Sequence, residues 1–439
     1  MSQGLYNNET ITTPGDDTVH VVTIDKVQVN VFFDGTLNNY YNVKEADPKA
    51  KALYGKEGTS YTNALSNVAR MWEPMGKNRM DPDIGIYVEG IGTRHNQADS
   101  LLGSALAMGT TGIQDRAREV FKPLKNIVER KRGDSGLPAL LEINVFGFSR
   151  GAATARHFIY LLRNKEEIAK HFPGRWSEVL TQVNFVGLFD TVSAEGVYYG
   201  NDVADLQLAF TDESALRVFH LIALDEYREN FAVTTIASAR QSKATIFGVR
   251  VPMGFEMGIP GAHSDVGGDY PSDFEKEELE IRRLTTTRWE SVAGGDEQRA
   301  VRGIREAVYA QGWYTPANQQ RGDWHQRTIT GDYYKVALSL MVDRAEKYTV
   351  AKYATKVDLL AKEPLIAEIQ ATLRQLADTE AFVPSKPTRL DWDLNAQLGT
   401  TAARAFRHQY LHFSSDLDQT GMRPRIRDNH TLGRHHELG

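Results

Sequence analysis

The sequence predicts an α/β fold: a mostly parallel sheet flanked by helices, with a helical insertion or subdomain. Three observations predict it. Strand-like apolar runs alternate with helical ones between residues 27 and 259. Each strand-like run closes on turn residues, as strands that feed crossover helices do. Residues 140 to 158, L-L-E-I-N-V-F-G-F-S-R-G-A-A-T-A-R-H-F, carry one such run straight into a helix through a G-x-S-x-G turn.

In chain order, residues 1 to 20 are polar and are expected as a loose N-terminal arm. Val27, Val29, Val31 and Phe33 alternate as a strand does, and Asp34-Gly35-Thr36 breaks the pattern. Leu65, Val68, Ala69 and Trp72 share one helical face, predicting a helix over 61–72. Ile84, Ile86 and Val88 form a second strand. Ile113, Ala117, Val120, Phe121, Leu124 and Val128 line the next helix. Leu140 to Phe146 is a strand, and Ala152, Ala155, Phe158 and Leu162 mark the helix after it. Val183 to Phe189 is a strand closing on Asp190-Thr191. Phe219 to Phe231 reads as a helix, and 246–251 and 255–259 read as strands. Residues 271 to 400 change character: charged to 307, then helical over 333–378, with Pro364 suited to a first helical turn. The expected organisation is therefore an arm (1–20), a catalytic core (21–270), a helical insertion or subdomain (271–400) and a returning C-terminal segment (401–439). That last segment has a strand-like stretch at 409–413 and a frayed Arg/His-rich tail.

Composition narrows the function. The 439 residues require a large domain with insertions or two domains. A net charge of −6 without a basic block gives nucleic-acid binding no electrostatic support. The absence of cysteine removes thiol nucleophiles and thiolate metal sites. The start, M-S-Q-G-L-Y-N-N-E-T, has neither a basic nor an apolar leader region, so synthesis in the cytoplasm without a signal peptide is expected.

The chemistry centres on Gly147-Phe148-Ser149-Arg150-Gly151. A strand–turn–helix elbow lifts a serine hydroxyl clear of the sheet, in the manner of α/β hydrolases. The alternative is a Gly-rich turn whose serine merely caps the helix. A serine nucleophile needs a base, and the base needs an acid to fix its tautomer. Asp190, at the end of a strand, fits the acid; a turn-capping aspartate is the alternative. For the base, His263 in I-P-G-A-H-S-D-V-G-G-D-Y competes with His412 in Y-L-H-F-S-S-D. His220 and His157 fall on helical segments and read as packed residues. Oxyanion donors are expected from the N–H of Arg150 and from the Asp34-Gly35-Thr36 loop, through Gly35. His263, Asp265 and Asp269 are too few to specify a calcium site, so no metal and no cofactor is expected. Lipid access would need apolar surface, for which 101–112 and 197–210 (Tyr198, Tyr199, Leu206, Leu208, Phe210) are candidates, with core packing as the alternative.

Four blocks then acquire a shared meaning: F-F-D-G-T-L-N-N (32–39), V-F-G-F-S-R-G-A-A (145–153), V-G-L-F-D-T-V (186–192) and P-G-A-H-S-D-V-G-G-D-Y (260–270). A weaker fifth is H-L-I-A-L-D-E-Y-R-E-N-F (220–231). With them the chain resembles the α/β-hydrolase lipases that include antibacterial phospholipase effectors of type VI secretion systems. The resemblance implies a Ser149–Asp190–His263 triad and phospholipase A-type cleavage of glycerophospholipid acyl esters. It also implies a membrane phospholipid substrate, delivery by a secretion spike protein into a rival's periplasm, and a neutralising immunity protein in the producer. Two other readings remain open: a cytosolic serine hydrolase for another ester or thioester, and a catalytically silent hydrolase fold serving as a binding module.

Overall fold

The computed structural model describes residues 9–11, 22–76, 84–100, 112–132, 139–171, 179–193, 203–270, 274–280, 306–321, 324–330, 332–353, 357–416, 422–427 and 431–439. Its centre is an eight-stranded sheet. The strands are β1 (Glu9–Ile11), β2 (Val22–Phe33), β3 (Ile84–Val88), β4 (Ala139–Phe148), β5 (Val179–Phe189), β6 (Arg217–Ala223), β7 (Gly254–Ile259) and β8 (Arg389–Asp391). The ladder β3-β2-β4-β5-β6-β7-β8 is parallel throughout, and only β1 is antiparallel, laid on the start of β2. The chain leaves β2 toward β3 on one side, then resumes with β4 on the other. That reversal opens a crevice beyond the carboxyl ends of β2 and β4, where open α/β sheets bind ligands.

Residue alternation along the strands builds two buried layers. Val27, Val29, Val31 and Phe33 of β2, with Leu141, Ile143 and Val145 of β4, face helices α2 (Ile113–Glu119), α3 (Phe121–Arg132) and α4 (Arg150–Arg163). Phe32, Phe146, Phe148, Phe185 and Phe189 face the other way. They pack among α1 (Asn67–Gly76), α6 (Tyr334–Tyr348), α7 (Pro364–Glu380) and α8 (Thr400–Tyr410). The short α5 (His263–Gly267) follows β7 at the sheet's carboxyl end and packs against α6, with Val266 in the second layer.

Within 271–400, α6 and α7 pack onto one face of the sheet and β8 extends its edge. Three expectations change. Phe219–Phe231 is not a helix. It is β6 followed by turns, because a short run buried on both sides has no period to separate strand from helix. Residues 409–413 are the last turn of α8 and a loop. The tail is held: His436–Glu437 pairs in parallel with Val233–Thr234. Of the lipid-access segments, 101–111 and 194–202, with Tyr198 and Tyr199, lie outside the described residues. Leu206 and Leu208 are buried against Ile91, Ile113 and Ala153, and Phe210 is buried too, so these three side chains are core.

Candidate active site

Ser149 follows β4 and precedes α4 with φ 57 and ψ −127, a backbone conformation that costs a non-glycine residue about 1–3 kcal/mol. Packing enforces it. A Cβ on Gly151 would stand 2.3 Å from the Asp34 carbonyl oxygen, and one on Gly147 would stand 2.6 Å from the Gly151 carbonyl oxygen. The Ser149 N–H donates to the Phe189 carbonyl at 3.0 Å, and the Asp190 N–H donates to Leu221 at 2.8 Å. Each residue thus continues the ladder one strand further across the sheet. Although Ser149 occupies the N-cap position, its side chain makes no capping bond. The hydroxyl is not spent on structure.

Asp190 (φ 45) and His263 meet: Nδ1 donates to Oδ2 at 2.5 Å. This bond puts the ring proton on Nδ1 and leaves Nε2 as the basic nitrogen. The other carboxylate oxygen accepts the Ala223 N–H at 2.9 Å and an N–H of Arg434 at 2.5 Å, while a second Arg434 N–H reaches Oδ2 at 2.8 Å. Burial pushes the Asp190 carboxyl up, but Arg434 and His263 outweigh it and hold the group well below the usual carboxylate range. The His263 ring lies between Phe148, 4.6 Å away between centroids, and Phe231, edge-on at 5.1 Å. Its backbone N–H donates to Glu226 Oε2 at 3.2 Å. Glu226 is buried yet stays below its ordinary value through the Arg228 fork at 2.9 and 2.8 Å. Among the described residues the Ser149 hydroxyl donates to no side chain, His263 included. Bonds from nucleophile to base are commonly loose in free enzymes and tighten with substrate.

The remaining histidines have other work. His412 donates Nδ1–H to Asp265 Oδ1 at 2.6 Å and its backbone N–H to Oδ2 at 3.0 Å, and it stacks on Tyr270. Asp265 Oδ2 also accepts the Ala262 N–H at 2.8 Å, so the pair braces the loop that carries His263. Burial raises the Asp265 carboxyl. His220 is a strand residue: Nδ1 meets Glu256 at 3.1 Å, and Nε2 accepts the Thr191 N–H at 3.1 Å. His157 pairs with the Leu206 carbonyl at 2.7 Å inside α4. His263 and Asp265 are each paired within the fold and do not converge with Asp269. Among the described residues no group of three His, Asp or Glu side chains forms a metal site.

The loop after β2 corrects one expectation. The Gly35 N–H donates to its neighbour Asp34 Oδ1 at 2.8 Å, so it does not point into the crevice. That carboxylate also accepts from Ser66 and Tyr87, each at 2.5 Å, and burial raises it to about 6. Gly35 is needed for space, since a Cβ there would stand 2.5 Å from the Phe148 ring. Thr36 next to it has an N–H that meets no described residue and a buried hydroxyl without a partner among them. Sequence reasoning missed Glu226, Arg228 and Arg434, and within the Asp34-Gly35-Thr36 loop it chose Gly35. The fifth block was a pointer to Glu226 and Arg228. Arg434 had no local signal.

A parallel sheet with helices on both faces, a serine elbow after β4, an aspartate at the end of the next strand and a histidine on the loop after β7 define a hydrolase of the α/β-hydrolase type. The family model "T6SS, Phospholipase effector Tle1-like, catalytic domain" matches residues 28–171 and 161–289, more than half of the chain, and the chain belongs to that family. A solved structure titled "Structure of the Tle1 effector bound to the VgrG spike from the Type 6 secretion system" aligns over 98% of this chain and 99% of its own, at 19% identity and TM-score 0.52. At that identity the likeness establishes the shared fold. A second, an uncharacterized protein from Pseudomonas aeruginosa, aligns over 82% of this chain and 52% of its own, at 20% identity and TM-score 0.43. Comparison with curated proteins gives no match.

Proposed function

We propose that this phospholipase effector is a serine esterase of phospholipase A type, with Ser149, Asp190 and His263 as its triad. Ser149 Oγ attacks the acyl carbonyl of a glycerophospholipid while His263 Nε2 takes its proton. Asp190 orients the ring and stabilises the imidazolium. The tetrahedral oxyanion is held by the N–H of Arg150, the residue after the nucleophile. The second donor is Thr36, in place of Gly35. The imidazolium then protonates the departing lysophospholipid alcohol, and water, activated by the same nitrogen, releases the fatty acid. The reading is carried by the elbow serine with its uncommitted hydroxyl, one strand from an aspartate that already holds an imidazole. The structural neighbour's title reports a spike complex. We extend that to this chain as spike-borne delivery to a target-cell periplasm, with an immunity protein guarding the producer.

Ser149→Ala should lose at least ~10⁴-fold in turnover on phospholipid vesicles and on a short soluble ester alike. Undiminished turnover on both substrates would end the proposal. Hydrolysis of the soluble ester alone by the wild-type chain would move the substrate away from membranes.

A further inference from the structure

Arg434 lies near the end of the chain, far in sequence from any residue of the site, and is almost wholly buried. The tail reaches it by pairing: Val233 N–H donates to the His435 carbonyl at 3.0 Å, Thr235 N–H to Glu437 at 2.9 Å, and His436–Glu437 runs parallel to Val233–Thr234. Its guanidinium forks onto both oxygens of Asp190, and its remaining donors meet the carbonyls of Ala223 at 2.7 Å and Phe231 at 3.1 Å. On its other side is a cavity of about 290 Å³. The carboxylates lining that cavity have other partners: Asp225 pairs with Arg407 at 3.4 Å, Asp391 with Arg389 at 3.0 Å, and Asp393 caps the helix after it by accepting the Ala396 N–H at 2.9 Å. Asp190 is therefore the carboxylate that Arg434 serves.

We propose that Arg434 is a positioning residue of the catalytic centre: its fork fixes the Asp190 carboxylate so that Oδ2 faces His263 Nδ1, and its charge balances that of the acid. The inference rests on the triad reading above. A planar fork sets the plane of a carboxylate as a point charge cannot. With Asp190 balanced by Arg434 and Glu226 balanced by Arg228, the imidazole is flanked by two neutral ion pairs. Asp265, in the same short helix as His263, is held by His412 of the segment after α8. Asp269 is the remaining acid of the loop that carries His263, and its Oδ2 accepts from Asn38 at 3.3 Å. Removing the Arg434 charge leaves Asp190 uncompensated beside the ring. The imidazolium is then favoured, the base stays protonated to higher pH, and the acid limb of kcat/KM moves upward.

The test uses the full chain and a short soluble ester, with folding followed by circular dichroism and melting. Arg434→Gln should lower kcat about 10- to 100-fold with KM little changed, and should move the acid limb up by about half a pH unit or more. Arg434→Lys keeps the charge and loses the fork, so kcat should fall less and the limb should stay in place. It also keeps the question open to measurement should the Gln variant not fold. Adding Arg434→Gln to Asp190→Asn should cost nothing further, because the arginine acts through the acid. A folded Arg434→Gln variant with wild-type kcat and an unmoved limb, beside an impaired Asp190→Asn, overturns this inference alone. A Lys variant whose limb moves as far as that of Gln overturns the charge argument. Wild-type turnover in Asp190→Asn overturns the triad reading and this inference with it.

Discussion

At the scale of single residues, Asp265 and His412 look from sequence like parts of a reactive site and in the fold are supports for one. His412 lies as far along the chain as a late catalytic histidine would, yet its Nδ1–H and backbone N–H both go to Asp265. That carboxylate in turn fixes Ala262, the residue before His263. Replacing the imidazole by a ring of similar shape removes the bond and keeps the stack on Tyr270. His412→Phe should lower kcat by about 10-fold through a looser His263 loop, far short of the ~10⁴-fold loss that removal of a catalytic base brings. Kinetics on a soluble ester read the difference directly, and a loss as large as that of Ser149→Ala would reassign the base. The elbow glycines and Ser149 were legible because their steric needs are local. The Gly35 assignment failed because the direction of an N–H depends on a side chain one residue away, which no spacing rule encodes.

At the scale of elements, the site is an arrangement of strand ends. β2, β4, β5 and β6 each finish in register with a neighbour, and the residues just past them are Asp34, Ser149, Asp190 and Leu224. α4 approaches β2 so closely that Gly151 touches the Asp34 backbone. Gly151→Ala should therefore push helix from strand, costing about 1–3 kcal/mol or more and displacing the elbow. A lowered urea midpoint together with lost activity is the expected outcome; an unchanged midpoint would mean that the contact relaxes freely. Helices with clear one-sided apolar patterns, such as α3 and α7, were predictable from period alone, including Pro364 at the head of α7. β6 was not. Its Val218, Phe219, Leu221 and Ile222 are buried on both faces, and a run without alternation carries no strand signature.

At the scale of the whole molecule, buried carboxylates set the response to acid. Glu256 on β7 binds His220 of β6, the Ile236 N–H and Arg389 of β8, and these hold it at about 2 against the upward push of burial. Its folded value lies below the ordinary glutamate value of 4.5, so its contribution is present above pH 4.5 and is lost as pH falls toward 2. Asp190 and Glu226 are lowered and act in the same sense. Asp34 is raised to about 6 and opposes them, its folded form taking up a proton first. Unfolding free energy measured by urea should therefore fall between pH 4.5 and 2, and Glu256→Gln should flatten that fall; an unaltered slope would remove Glu256 from the account. Taken by itself, the sequence determined the α/β alternation, the serine elbow and the pairing of one aspartate and one histidine as candidates. Each of those is written in a short stretch of chain, where period and sterics act between near neighbours. Only the tertiary structure decided that α6 and α7 pack onto one face of the sheet, that His412 binds Asp265, and that a tail arginine reaches Asp190. Those contacts join residues more than a hundred positions apart, and they are fixed by how the sheet twists and packs, which no local pattern records.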